Sequence, residues 1–440
     1  MLAIWVAATA AAKDRGLTQE LTYEGTIYYQ GHYPRPGEAR AYHSAQRYMV
    51  DQRGRARFEW STWSDADTAR VPESYLVAGD SMFHRESPTS TWELLAGEDA
   101  RVARFEALAG LPSELESLTL RNPNKNRTFR RSKQQAAFVD LHAHPRLGDV
   151  RDSVTFTYGA QASEPSEMVL VLYKRDSQYR TIARRVESAG GPIPDSMFQS
   201  PAAFEPKREA VLQGEPKIVA VAPGLWSLDM EDIDSRSLLV EFADHLAVIE
   251  FAVGSANGQR MVDAAKRRWP DKPIRYALFS HHHPHYTGGI RAMIAEGATV
   301  VTTPGNEALV KSLAGLPFKL EPDHLARSPR PAVVQTFKDR YELADSTNTL
   351  VAFNYGERSQ HTDEFVVFWF PRQKVLFEAE QGWFRVKGKL VAGKRATSLL
   401  AWMDEQKLDV DRIVQAWPMR DNEPSVSRAE LAAMVQPVKK

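Results

Sequence analysis

Between positions 274 and 296 the chain offers very little choice of local structure. Ile274 to Phe279 is an apolar run; Ser280-His281-His282-His283-Pro284-His285-Tyr286-Thr287-Gly288-Gly289 follows; Ile290 to Glu296 then has helical spacing. That order reads as strand, tight turn and helix. Histidines at a strand end are held by the sheet and face the crevice above it, where α/β folds place their sites. His281 and His283 are two apart, so both imidazoles can point to one side, while His282 between them points elsewhere. Neutral imidazole is the commonest side-chain ligand for zinc or iron. The plainer alternative is a solvated histidine-rich loop, and the strand before and glycine pair after argue against it.

The absence of cysteine narrows the ligands further. Disulfides and thiolate sites are excluded, so a metal must be held by His, Asp, Glu or Tyr. The 440 residues suit two domains of about 200 each. With 56 basic and 56 acidic residues the formal charge is zero. No basic excess is present to neutralise phosphates, which argues against a nucleic-acid partner. Met1 to Ala12 (MLAIWVAATAAA) is apolar and alanine-rich. It is too short to span a bilayer and reads as the tail of a secretory signal peptide. Residues 1–18 are therefore assigned to a leader remnant and the protein to the periplasm or the exterior. A frayed terminus on a cytoplasmic protein is the alternative.

Residues 19–205 form a first, β-rich domain. Leu21 to His32 and Ala41 to Trp63 alternate and are aromatic, with a hairpin signal at Asp51-Gln52-Arg53-Gly54. Ser74 to Arg85, Thr91 to Leu95, Val150 to Tyr158, Met168 to Lys174 and Tyr179 to Glu187 extend the strands. Glu98 to Leu120 is helical, broken near Gly110-Leu111-Pro112. His142 and His144 (DLHAHPRLGD) have metal-ligand spacing but no evident third ligand. Pro145 points to a loop or helix end, and a surface or packing role is expected. A Gly/Pro-rich stretch from Gly190 to Pro206 reads as an interdomain connection.

Residues 206–440 form the second domain. Paired strands surround Pro223-Gly224 and Asp244-His245, and Gly258 to Trp269 is an amphipathic helix. A strand at Thr299 to Thr303 and a helix at Asn306 to Leu313 follow. Residues 315–345 read as an irregular, proline-rich loop beside the site, with His324 as a substrate-side candidate. Strands are expected at Thr349 to Asn354, Glu364 to Phe370, Lys374 to Glu378 and Arg412 to Ala416, and a helix at Leu399 to Gln406.

The second half resembles the metallo-β-lactamase fold family, whose members carry H-x-H-x-D-H followed by x-G-G at a strand end. The likeness rests on His281, His283, Gly288 and Gly289. His285 stands at the family's aspartate and Tyr286 at its last histidine. His361 in GERSQHTDEFVVFWF resembles the third ligand of the first metal. Glu380, after KVLFEA, resembles the metal-bridging aspartate, and Trp417 stands where a final histidine is usual. The first half is loosely similar to a lipoprotein-carrier half-barrel. The resemblance implies an α+β chain: an N-terminal curved antiparallel sheet with helices, and a C-terminal four-layer αββα sandwich.

It also implies a hydrolase with one zinc ion on His281, His283 and His361, a second ion or Fe/Mn being the alternatives. Three imidazoles and a water complete a tetrahedral catalytic zinc sphere, and such a zinc brings the pKa of water to about 7. An ester, lactone, thioester or amide of a small molecule would be attacked. His285 is the candidate general base or proton shuttle, Tyr286 a candidate oxyanion donor, and Glu380 a carboxylate able to reach a metal or a water. Asp363 is the candidate partner of His361. The rival reading is a catalytically degenerate binding or scaffold protein, with a lipid or acyl ligand on the N-terminal sheet.

Overall fold

The computed structural model describes residues 19–30, 35–51, 53–121, 124–174, 177–186, 193–206, 214–251, 253–382, 393–419 and 423–435. The leader assigned to 1–18 and parts of the Gly/Pro-rich connection lie outside them. The chain is mixed α/β with large sheets. It divides into two compact units: 1–30, 39–142 and 150–209, and then 31–38, 143–149 and 210–440. Among the described residues no helix is long and apolar enough to cross a membrane.

The first unit is built on one sheet. Strands β1 (Gln19–Gln30), β2 (Arg40–Val50), β3 (Ala56–Trp63), β4 (Glu73–Ala78), β5 (Ser81–Arg85) and β6 (Trp92–Leu95) form a consecutive antiparallel run. After the helices α1 (Gly97–Leu108) and α2 (Pro112–Arg121) come β7 (Arg127–Arg131), β8 (Gln135–His144), β9 (Gly148–Tyr158), β10 (Pro165–Lys174), β11 (Ser177–Val186) and β12 (Phe204–Pro206). The order is β12-β6-β5-β4-β3-β2-β1-β11-β10-β9-β8-β7, so β11 returns to pair with β1.

Period-two burial explains the register. Leu21, Tyr23 and Ile27 of β1 and Val150, Val154, Phe156 and Tyr158 of β9 face the core. At the β2–β3 turn Asp51 accepts from the amides of Arg53 (2.9 Å) and Arg55 (2.8 Å). Helix α1 lays Val102, Ala103 and Phe105 into this core, with Phe105 stacked on Phe138 at 5.3 Å. The break expected between the helices is set by close packing. A Cβ on Gly110 would lie 2.2 Å from the Tyr48 ring, and Tyr23 donates to the Gly110 carbonyl at 3.1 Å.

The second unit holds two sheets. The first has the order β13-β14-β15-β16-β17-β18-β19: Lys217–Ala222, Leu225–Met230, Ser235–Glu241, Leu246–Ile249, Ile274–Leu278, Thr299–Thr302 and Val333–Thr336. From β16 onward its strands are parallel. Helix α3 (Ser255–Arg268) crosses from β16 to β17. The short α4 (Pro284–Thr287) and α5 (Ile290–Ala295) lead to β18, and α6 (Glu307–Ala314) and α7 (His324–Arg327) lead to β19. The second sheet is β20 (Arg340–Ala344), β21 (Thr349–Asn354), β22 (Val366–Phe370), β23 (Val375–Glu378), β24 (Arg412–Gln415) and β25 (Ser425–Ser427) in sequence order. Helices α8 (Lys394–Glu405) and α9 (Arg428–Val435) complete it. Residues from both sheets enter one hydrophobic core that includes Leu238, Val248, Met261, Leu278, Ile294, Phe368, Phe377, Trp402 and Ile413.

Two expectations need correction. The stretch 315–345 is not irregular throughout: α7, β19 and β20 lie in it, and it ends one sheet and begins the other. His144 ends a strand rather than lying in a loop. Its ring is buried, and Nδ1 accepts from the amides of Arg146 (3.2 Å) and Leu147 (3.1 Å).

Candidate metal centre

The site gathers at one end of the parallel strands of the second unit. Glu250 follows β16, the histidine turn follows β17, Glu380 lies just past β23 and Trp417 just past β24. Loops at the carboxyl ends of parallel strands converge, which is why a crevice forms there. His361 arrives on the segment leading into β22. The two histidine segments are joined directly, Val366 donating its amide to the Ser280 carbonyl at 2.7 Å.

The histidine turn is held from several sides. Pro284 opens α4 at a position where its missing N–H is no loss. Thr287 Oγ1 lies 3.2 Å from the carbonyls of both His282 and His283. Tyr286 gives its carbonyl to the Phe251 amide at 2.8 Å. The glycines answer to backbone contact. A Cβ on Gly288 would stand 2.4 Å from the Gly254 nitrogen, and one on Gly258 of α3 would stand 2.2 Å from the Gly289 oxygen. The turn therefore sits on the start of α3 with no room for side chains between them.

Four donors meet here. His281 Nε2 lies 3.0 Å from His283 Nδ1, and His361 Nε2 lies 3.1 Å from the same nitrogen. Glu380 Oε1 is 3.6 Å from His281 Nε2 and in contact with His361 Nε2. One donor atom from each residue lies within 4.8 Å of all the others. An imidazole nitrogen carries either one lone pair or one proton. His283 Nδ1 therefore cannot satisfy both neighbouring nitrogens at once, whereas a cation between them takes every lone pair. With bonds of about 2.0–2.1 Å, tetrahedral donors stand about 3.3 Å apart. Separations of 3.0, 3.1 and 3.6 Å bracket that value. The donor set is thus compatible with a metal ion.

Charge is distributed unevenly around the donors. Burial drives His281 well below the ordinary histidine range, and the neighbouring imidazoles push the same way. Burial works to raise the Glu380 carboxyl, but the hydrogen bond and charge of His361 and the guanidinium of Arg395 outweigh it and hold the group low. Two further carboxyls lie beneath. Burial pushes Glu250 up to about 8, although both of its oxygens lie 3.2 Å from the Ser280 amide. Burial does the same to Glu378, up to about 8, despite the amides of Gln381 and Gly382. Glu250 also has a left-handed backbone, φ +67°, an uncommon conformation for this residue type. That bend directs its carboxyl under the amide that begins the histidine turn.

The remaining candidates fall around this cluster. His285 is half-buried and packs on Trp417, ring centres 4.9 Å apart, outside the set of four donors. Tyr286 is buried, with its ring 4.6 Å from that of His281 and its hydroxyl turned toward the Glu380 carboxylate. Burial, then the charge of Glu380, raises it well above the usual phenol. His282 is buried, and His245 stacks on Phe242 at 4.6 Å. His324 lines a separate cavity of about 750 Å³ with Ser255, Gln259 and Asp323. Asp363 is engaged by Arg35, so it is not the expected partner of the His361 ring. Instead Arg395 Nη2 stands 2.6 Å from His361 Nδ1. Glu250, Glu378 and Arg395 were missed by sequence reasoning. A carboxylate closing an apolar strand, as in LAVIE and VLFE, is the one signal that would have found the first two.

The sequence matches no family model and no curated protein. Solved structures similar to about half of the chain are metallo-β-lactamases. They include one from Pseudomonas aeruginosa in its mono-zinc form (19% identity, 52% of this chain and 96% of that one, TM-score 0.37). A B3 enzyme with an active-site glutamic acid is similar at 17% identity (51% and 89%, TM-score 0.36), as is one from Pontibacter korlensis (17%, 49% and 95%, TM-score 0.35). Likeness of this degree leaves the chemistry to be argued from the residues.

Proposed function

We propose that the chain is a metal-dependent hydrolase with a single zinc ion held by His281, His283 and His361, in a domain spanning 206–440 built as an αββα sandwich. The convergence of four donor atoms within 4.8 Å carries this reading. When bound, the ion supplies a Lewis acid and brings the pKa of water to about 7. The chain's own residues do the rest. Glu380 Oε1, kept ionised, accepts a proton from the attacking water or joins the ligand set. His285, beside the donors and half-buried, passes a proton to the leaving group. Tyr286 offers its hydroxyl to the developing oxyanion. The substrate is an ester, lactone, thioester or amide. Export by way of Met1 to Ala12, and an acyl ligand on the sheet of residues 19–205, belong to the same proposal.

A panel of chromogenic esters and thioesters tests it. Hydrolysis that a chelator abolishes and zinc restores is the expected result. No turnover in zinc-loaded protein, or turnover indifferent to chelator, contradicts it. That outcome favours the second reading, a binding protein on a degenerate site, for which the packing of Trp417 on His285 speaks.

A further inference from the structure

Arg395, in the first turn of α8, reaches the donor cluster. Its Nη2 stands 2.6 Å from His361 Nδ1 and its Nη1 is 3.5 Å from Glu380 Oε1. A guanidinium only donates hydrogen bonds and is never neutral. Ligation of a metal through His361 Nε2 requires the proton of a neutral ring on Nδ1, where an acceptor normally holds it and strengthens the ligand. Here that place is taken by a donor. The same cation stands beside Glu380, the one anionic group of the donor set. Both contacts work against a dication: one opposes the tautomer that ligates, and the other offsets the carboxylate's charge.

We propose that Arg395 is a positioning residue that weakens metal binding at this centre, holding His361 and Glu380 in place while opposing their ligation of the ion. This rests on the metal-centre reading above. A residue kept only for structural support would, on removal, loosen the site and lower its affinity. Arg395 predicts the opposite.

The test is zinc affinity of the full chain, measured by competition with a chromophoric chelator. Wild type is compared with Arg395→Gln, Arg395→Met and Arg395→Lys, each checked for folding by thermal melt. Either neutral variant that folds as wild type does decides the matter. The expected result is binding at least tenfold tighter in the neutral variants, and close to wild type in Arg395→Lys, which keeps the charge. Equal or weaker binding in a folded neutral variant overturns the inference and leaves the hydrolase reading standing. No zinc binding by wild type or any variant overturns both.

Discussion

Glu250→Gln gives a stability change whose sign and size follow chiefly from burial. The carboxyl moves from the ordinary 4.5 to about 8 because it is buried. Such a displacement is worth about 5 kcal/mol against the ionised form. Below pH 4.5 the folded and unfolded chains both carry the proton, and nothing is lost. Between 4.5 and 8 the unfolded chain releases the proton while the folded chain keeps it, so stability falls as pH rises. Above 8 the full cost is present. Glutamine can still accept from the Ser280 amide, which Glu250 now faces at 3.2 Å, but has no proton to lose. The variant should exceed wild type by only about 1 kcal/mol at pH 5 and by up to about 5 kcal/mol at pH 9. Glu378 contributes a parallel fall of its own, so the slope is reduced and not abolished. Denaturant titrations from pH 5 to 9, with EDTA throughout to fix metal occupancy, measure this. Curves for wild type and variant that run parallel across that range refute the reasoning.

Two further outcomes follow from packing and charge. Gly258→Ala forces a Cβ to 2.2 Å from the Gly289 oxygen; the helix must move off the histidine turn, costing about 1–3 kcal/mol. Metal affinity should drop with stability in a paired melt and zinc titration, and an unchanged affinity would show that the turn does not depend on this contact. Asp323→Ala removes the carboxylate that pairs Arg291 at 2.6 and 3.0 Å, leaving a buried cation and a loss of about 3–5 kcal/mol. A thermal melt reads it, and a loss below about 0.5 kcal/mol, the usual range for surface substitutions, would mean the guanidinium is satisfied without Asp323.

The parts of the molecule that could be read from sequence are those where a pattern is local. Strands of the first unit such as β1 and β9 alternate plainly, and the histidine turn announces itself through its glycines, whose purpose the structure supplies as backbone contact with α3. β8 was harder to see because Asp140 occupies one of its inward positions. That carboxylate is tolerated there by Arg127, 2.9 Å away. β19 and β20 were hidden in a proline-rich stretch, being short and largely exposed. Arg395 left no trace in sequence at all. Its role arises from the meeting of α8 with the His361 segment, a tertiary fact that no spacing within KRATSLL encodes.

The proposal stands on His281, His283 and His361 holding one ion, with Glu380 beside it. Elemental analysis of the zinc-loaded, desalted protein tests it most directly, alongside His361→Ala checked for folding. The account predicts about one equivalent per chain in wild type, and a loss of most of it in the variant. Folded wild-type protein that retains no metal, or a variant that retains as much as wild type, would contradict it.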